Sequence, residues 1–147
     1  MIRAVLDTNA LASGALISQG VLPTIIDLWR DGAFALVFSE EIMIELSHTL
    51  AKPYFLTRLT TKDTEDYVEL LDTAGEMVAV TSPVSGVATH PEDDLILATA
   101  VDGKADYLVT GDKKLQQLKN YQGVAIVSPR EFLDILKAQE EQEMDVL

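Results

Sequence analysis

Near the start of the chain the sequence reads Ile2-Arg3-Ala4-Val5-Leu6-Asp7-Thr8-Asn9, an apolar run that ends at a carboxylate. Such a run is too short for a helix, and apolar residues at nearly every position are typical of a strand that is covered on both faces in a parallel sheet. In such a sheet, ligands bind beyond the carboxyl ends of the strands. The stretch therefore predicts a buried first strand with Asp7 at a ligand-binding edge.

The rest of the chain repeats this pattern of short apolar runs separated by helical segments. Four more strands are predicted at Phe34 to Phe38, Met77 to Val80, Tyr107 to Thr110 and Val124 to Val127. Apolar residues at helical spacing predict helices at Ala10 to Ser18, Leu22 to Trp29, Glu40 to Lys52, Thr64 to Ala74, Asp94 to Val101 and Arg130 to Gln139. Strands that alternate with helices form βαβ units, so we expect a doubly wound α/β sandwich around five parallel strands.

Length and composition fit one globular domain. The chain has 147 residues, of which 48% are hydrophobic and 24% charged, and we expect a single domain over residues 1–139 and a frayed acidic tail over 140–147. It has no cysteine, which excludes disulfides, thiolate metal sites and cysteine nucleophiles. No stretch resembles a signal peptide or a membrane span, so a cytoplasmic protein without a membrane partner is expected.

The charge balance is strongly acidic, with 11 Lys and Arg against 24 Asp and Glu and a net charge of −13. A protein that binds nucleic acid through broad electrostatics is normally basic. Taken alone, the charge therefore argues against a nucleic-acid partner.

Several carboxylates stand where the predicted strands and helices meet. Asp7 and Asp112 follow the first and fourth strands, where a turn residue or a helix N-cap is an equally good explanation for each one taken singly. Glu92, Asp93 and Asp94 open an apolar helix, although a cap needs only one carboxylate. Glu45 falls on a polar stripe of its helix, and helix geometry alone favours a surface position for it.

Carboxylates that converge on one sheet edge repel each other unless a cation joins them. Mg²⁺ and Mn²⁺ prefer oxygen ligands, with water and substrate phosphate completing their coordination. Such ions support in-line displacement at phosphorus. The sequence contains no apparent Ser/His/Asp triad or glycine-rich phosphate loop, so the pattern favours metal-dependent phosphodiester hydrolysis.

Four motifs in this order resemble the PIN-domain ribonucleases, in particular the small VapC-like toxins of prokaryotic toxin–antitoxin pairs. The resemblance covers nearly the whole chain. It is carried by Val5-Leu6-Asp7-Thr8-Asn9, by Glu45-Leu46 with Lys52-Pro53, by Asp93-Asp94-Leu95-Ile96-Leu97-Ala98-Thr99-Ala100, and by Ala105-Asp106-Tyr107-Leu108-Val109-Thr110-Gly111-Asp112-Lys113-Lys114-Leu115. It implies a three-layer α/β/α sandwich with a central five-stranded parallel sheet, one or two Mg²⁺ or Mn²⁺ ions, and endonucleolytic cleavage of RNA.

Position by position, the resemblance implies a site made of acidic residues. The catalytic carboxylates would be Asp7, Glu45, Asp93 and Asp112, with Asp7, Asp93 and Asp112 binding metal. Counting back from the apolar helix selects Asp93, whereas counting forward to Asp112 fits Asp94 about as well, so Asp94 is kept as a neighbouring metal ligand. Asn9 and Thr110 would orient the ligands.

Basic and aromatic residues suggest where partners bind. Lys113 and Lys114, with Lys119 nearby, would form a small basic rim that contacts RNA, whereas His48 and His90 are poor catalytic candidates. The resemblance also implies an antitoxin protein and a dimer or higher homo-oligomer. Trp29, Tyr54 and Phe55 could lie on a partner surface, although core positions are favoured for them.

The acidity then has a local cause. Nine of the acidic residues lie either at the predicted site or in the predicted tail, and removing them from the net charge of −13 leaves −4, which permits RNA binding. The nine are Asp7, Glu45, Asp93, Asp94, Asp112, Glu140, Glu141, Glu143 and Asp145.

Two other classes of protein share parts of this pattern. One is a non-catalytic module that keeps the fold and binds a protein. The other is an aspartate-based phosphotransfer domain, but a phosphatase of that kind needs Asp where Asn9 stands, and a receiver domain needs Asp after the third strand, where Thr81-Ser82-Pro83 follows Val80.

Overall fold

The computed structural model describes residues 1–16, 19–82, 84, 86, 87 and 91–146. The strands are β1 (Arg3–Leu6), β2 (Ala35–Phe38), β3 (Glu76–Met77), β4 (Tyr107–Val109), β5 (Asn120–Tyr121) and β6 (Val124–Val127). The helices are α1 (Thr8–Gly14), α2 (Val21–Arg30), α3 (Glu40–Leu50), α4 (Pro53–Leu56), α5 (Thr61–Ala74), α6 (Pro91–Asp102), α7 (Lys113–Gln116) and α8 (Pro129–Val146).

The strands form one sheet in the order β3-β2-β1-β4-β6-β5. The five strands that the apolar runs predict are all parallel, and the short strand β5 pairs antiparallel with β6 at one edge. The predicted α/β/α architecture around a parallel sheet is therefore confirmed, with one antiparallel edge strand added to it.

The sheet changes its direction of winding at β1. The chain moves outward from β1 to β2 and β3, and then returns to place β4 on the other side of β1. The Asp7 N–H donates to the Val109 carbonyl oxygen across this junction at 3.0 Å. Because βαβ crossovers are right-handed, the reversal places helices on both faces of the sheet and makes β1 and β4 the place where a doubly wound fold binds its ligands.

Apolar residues of the strands and helices pack into one continuous core. Helix α6 packs on β1, β2 and β4, while α1 packs against α2 and α3, and α2 against α8. Phe34, ahead of β2, meets Phe132 of α8 edge to face, with ring centroids 5.1 Å apart. Burial of this apolar surface is the main force that holds the layers together.

Three short elements were not predicted, and each has a local cause. Pro53 stands at the first turn of α4, where its missing N–H costs nothing, so it opens a helix instead of only ending one. Asp112 caps α7. Gln122 and Gly123, both with positive φ, form the two-residue hairpin that joins β5 to β6.

Several predicted boundaries are wrong, those of β3 and α8 among them. Strand β3 covers only Glu76–Met77 instead of Met77 to Val80, because its partner β2 ends at Phe38 and α3 begins two residues later. Helix α8 continues to Val146 instead of ending at Gln139, so residues 140–146 belong to this helix. Ser18, His90 and Leu147, which enter the predictions above, lie outside the described residues.

Arg3 joins several elements at the amino end of the sheet. Its guanidinium forms a bidentate pair with Glu76 of β3 at 2.7 and 3.1 Å, and it also donates to the Gly103 carbonyl at the end of α6. Its backbone N–H donates to Asp106 ahead of β4. This ion pair therefore lies at the end of the sheet opposite Asp7.

None of the helices in the described part of the chain is both long enough and apolar enough to cross a membrane.

Candidate active site

Asp7 is held at the junction of β1 and α1. The strand passes directly into the helix, so Asp7 is both the residue after the strand and the N-cap of α1. Its Oδ1 accepts from the Ala10 N–H at 2.7 Å, and its Oδ2 accepts from Thr110 Oγ1 at 2.6 Å. Both carboxylate oxygens therefore have fixed positions at the carboxyl edge of the sheet.

Thr110 links Asp7 to Asp112. Its side chain is fully buried, and its Oγ1 accepts from the Asp112 N–H at 3.0 Å while it donates to Asp7. The Asp112 carboxylate caps α7, accepting from the Lys114 N–H at 2.9 Å. Both aspartates are thus N-caps. For each of them, the capping role is compatible with a place in the candidate site.

Glu45 faces the same place from α3. The buried Thr8 donates from Oγ1 to Glu45 Oε2 at 3.0 Å. The side chain of Glu45 is half-buried, which differs from the surface position that helix geometry alone favours. The reason is tertiary, since α3 packs against α1 and the first residue of α1 holds this carboxylate.

The electrostatics show that these carboxylates share one region. Burial raises the pKa of Asp7 above its ordinary value, and the hydrogen bonds from Thr110 and Ala10 oppose this effect. The negative charges of Asp112 and Glu45 raise the pKa of Asp7 further. Three of the predicted carboxylates are therefore close enough to interact electrostatically, although they follow β1, lie on α3 and follow β4.

The first turn of α6 carries the fourth predicted position. Asp94 is buried and accepts from the N–H groups of Gly86 at 2.9 Å and Val87 at 3.2 Å, so its carboxylate holds these two residues. Asp93 is half-buried, one residue closer to the helix start. The choice of Asp93 as the metal ligand stays a prediction, and the contacts of Asp94 give that residue a structural role of its own.

The remaining predicted residues lie around this centre. Asn9 is exposed on the first turn of α1, and Lys113 and Lys114 are exposed on α7 directly after Asp112. Two residues were missed. Thr8 orients Glu45, and its position next to Asp7 in the sequence could have indicated it. Gln116 donates to the Thr110 carbonyl at 2.6 Å, and no sequence pattern indicates this residue.

The donor set fits a hard divalent cation. Asp7, Glu45 and Asp112 offer only oxygen, and within the described residues none of them forms an ion pair with lysine or arginine. The described residues also include no group of three Asp, Glu or His side chains placed to hold one ion together. Mg²⁺ commonly binds through one or two carboxylates and completes its coordination with water and substrate phosphate, so such a group is not required.

The sequence of this chain matches a known protein family. The family described as PIN domain matches residues 3–114. No functionally curated protein matches the sequence.

Similar solved structures share the fold at low sequence identity. A structure of VapBC2 from Rickettsia felis, bound to a DNA fragment from its promoter, has a TM-score of 0.60 and 13% identity over 86% of this chain and 98% of that chain. PAE2754 from Pyrobaculum aerophilum has a TM-score of 0.56 and 16% identity over 93% and 90% of the two chains. FitAcB from Neisseria gonorrhoeae has a TM-score of 0.53 and 18% identity over 86% and 97%.

Proposed function

Because this chain belongs to the PIN-domain family, we propose that it is a Mg²⁺- or Mn²⁺-dependent endoribonuclease and the toxin of a toxin–antitoxin pair. The observation that carries the proposal is the Asp7 carboxylate, which is held by two hydrogen bonds at the β1–β4 junction with the charges of Glu45 and Asp112 beside it. Placing like charges together in a partly buried site is unfavourable without a ligand. Sites of this kind are typical of catalysis.

The side chains have distinct tasks in this proposal. Asp7, Asp112 and Asp93 would hold the cation, and Glu45 would add a fourth carboxylate beside them. A divalent cation bound there supplies an activated water and neutralises charge on the scissile phosphate. Thr110 keeps Asp7 and Asp112 in register with each other, and Thr8 keeps Glu45 turned toward them.

The substrate side of the proposal rests on charge. Lys113 and Lys114 are exposed and follow Asp112 directly, so they can contact the phosphates on either side of the scissile bond. RNA as the substrate and metal dependence come from the family resemblance and from the chemistry of the donors.

An antitoxin partner is supported by the similar structures. VapBC2 was solved bound to a DNA fragment from their promoter, and this chain covers nearly all of that chain's length with the same fold. We propose that a cognate antitoxin neutralises this protein and that the protein forms a homo-oligomer.

The experiment that tests the enzyme is a cleavage assay on single-stranded RNA with Mn²⁺, Mg²⁺ or EDTA. We expect cleavage only with a divalent cation, and a loss of at least about a hundredfold in Asp7→Asn, because the variant removes charge from the centre of the site. Asp72→Asn, an exposed carboxylate on α5, is the matched control and should cut like the parent. Equal rates for the parent and Asp7→Asn would overturn the assignment.

Thr110→Val tests the positioning role within the same assay. The variant keeps the shape of the side chain but removes the hydroxyl that joins Asp7 to the Asp112 N–H. Loss of a group that orients metal ligands typically costs about 10–100-fold in metal affinity or activity. We expect the Mn²⁺ concentration for half-maximal cleavage to rise, and an unchanged Mn²⁺ requirement would contradict the role.

A further inference from the structure

The positive charge of this acidic protein is concentrated in two stretches. Residues 46–62 and 113–130 contain no Asp or Glu, yet they hold seven of the eleven Lys and Arg residues. The first stretch starts directly after Glu45, and the second starts directly after Asp112. The seven are Lys52, Arg58, Lys62, Lys113, Lys114, Lys119 and Arg130.

The fold places these two stretches on opposite sides of Asp7. The first stretch continues α3, which follows β2, and the second begins with α7, which follows β4. Strand β1, which ends at Asp7, lies between β2 and β4 in the sheet. A polyanion that crosses the carboxyl edge of the sheet over Asp7 therefore meets the lysines of α7 at one side and α3, which leads on to α4, at the other.

The α3 side also carries an exposed aromatic ring. Phe55 and Leu59 are buried and anchor α4, while Tyr54 is 53% exposed. The Arg58 guanidinium lies over one face of the Tyr54 ring, 3.7 Å from its centroid, and donates to the Tyr54 carbonyl at 2.8 Å. We name Lys52, Tyr54 and Arg58 the stacking surface.

The stacking surface is connected to the site by α3. Helix α3 ends at Leu50, five residues after Glu45 and about 7.5 Å further along the axis, and Lys52 follows two residues later as the N-cap of α4. His48 lies between them and is also exposed. No Asp or Glu occurs from Leu46 to Lys62 to repel a phosphate backbone.

We propose that the stacking surface binds single-stranded RNA next to the cleavage site, with an unpaired base stacked on the Tyr54–Arg58 pair and the backbone phosphates on Lys52 and Arg58. Single-stranded RNA is recognised by bases that stack on aromatic rings or on guanidinium planes, whereas the bases of a duplex are not available for stacking. An acidic protein partner would account for the cations of the stacking surface but not for its exposed ring. RNA accounts for the ring, for the cations and for their continuation on the far side of Asp7.

This inference rests on the proposed ribonuclease function and has a test of its own, which measures binding and not cleavage. The probe is a fluorescein-labelled oligoadenylate of about ten nucleotides in EDTA and low salt, within the usual length range of single-strand sites. Tyr54→Ala should weaken binding roughly five- to hundredfold, which is the range for loss of one base stack. Tyr54→Phe keeps the ring and should bind like the parent.

Matched controls separate stacking from general damage. Leu56→Ala removes another exposed apolar side chain from α4 and should leave the affinity unchanged. Arg58→Gln and Lys52→Gln should each weaken binding and flatten its salt dependence, whereas Lys137→Gln on the exposed face of α8 should do neither. The affinity for an RNA duplex of the same length should not respond to Tyr54→Ala.

A fluorescence signal reports the contact directly. Trp29 is the single tryptophan and is buried, so in Tyr54→Trp the emission of the new exposed indole should be quenched by the oligonucleotide while the emission of Trp29 is unaffected. Absence of quenching, together with unchanged binding by Tyr54→Ala, would overturn the stacking surface. That result would instead favour a protein partner at α4.

The two proposals can fail separately. If the parent cuts RNA with Mn²⁺ and Tyr54→Ala binds and cuts equally well, the stacking surface is wrong and the ribonuclease stands. If the oligonucleotide binds through Tyr54 but is never cut with any divalent cation, the ribonuclease is wrong and the stacking surface stands.

Discussion

At the scale of single residues, Asp7 combines two requirements that conflict. As the N-cap of α1 it stabilises the helix start through the Ala10 N–H. As a partly buried carboxylate beside Glu45 and Asp112 it carries a charge that burial and its neighbours disfavour. The hydroxyl of Thr110 offsets part of this cost, and a bound cation would offset more.

This conflict predicts a pH dependence of stability. The pKa of Asp7 is raised in the folded protein above its ordinary value of 3.8, so the folded state holds this proton more tightly than the unfolded state does. The contribution of Asp7 to stability is therefore fully present below the ordinary pKa and is lost as the pH rises through the raised pKa. We expect metal-free protein to lose this contribution as the pH rises from the ordinary pKa of 3.8 through the raised pKa of Asp7.

The measurement is urea unfolding of the parent and Asp7→Asn in EDTA at several pH values. Other carboxylates have lowered pKa values in the fold, Glu76 and Asp102 among them, so only the difference between the two proteins isolates Asp7. The free energy of unfolding of Asp7→Asn relative to the parent should increase with pH over this range. A difference that stays constant with pH would contradict the raised pKa.

How well sequence predicted each site residue depended on how local its cause is. Asp7 and Asp112 could be found because each lies within three residues of the end of a buried strand, which brings it to the carboxyl edge of the sheet. Glu45 could not be found from helix geometry, because its orientation depends on Thr8 from a different helix. Asp93 and Asp94 stayed ambiguous, since neighbouring residues on one helical turn differ only in what packs around them.

At the scale of elements, close approach of α5 and β2 depends on Gly75. A Cβ at this position would lie 2.3 Å from Phe38 Cε1 and 2.7 Å from the Leu71 carbonyl oxygen. Phe38 is buried in the core and cannot move freely. The glycine thus allows α5 to pass directly into β3 beside β2.

We predict that Gly75→Ala destabilises the protein by about 1–3 kcal/mol, the usual cost of overpacking a core. Gly111→Ala is the matched control, because a Cβ there meets nothing within 4 Å, and it should be neutral. Chemical unfolding measures both variants. A Gly75→Ala protein as stable as the control would show that α5 and Phe38 can move apart without cost.

The element boundaries show where sequence patterns stop being informative. Strand β6 matches its apolar run because both of its sides are paired. Strand β3 falls short of its run because pairing, not composition, ends a strand. Elements α4, α7 and β5 have no apolar periodicity long enough to detect, and they arise from a proline, a cap and a tight turn.

At the scale of the whole molecule, the net charge of −13 sets the conditions for binding a polyanion. The carboxylates at the centre of the proposed RNA path repel phosphate unless a cation neutralises them. We predict weak RNA binding in EDTA and a marked rise in affinity when Mg²⁺ is added.

Anisotropy of a labelled single strand measures this affinity for the Asp7→Asn protein and the parent at equal ionic strength. NaCl of matched ionic strength should only weaken binding, because it screens the lysines and arginines. The rise with Mg²⁺ should shrink in Asp7→Asn. An equal rise in both proteins would place the effect of Mg²⁺ outside the site.

The sheet itself ends in two very short strands, β3 and β5, each only two residues long. Long, flat sheet edges are templates on which other chains add strands, and short edges are one way in which proteins prevent such aggregation. Here an incoming chain finds very few free backbone groups on either side. From the described residues we therefore expect self-association of this protein to use helix surfaces instead of strand addition.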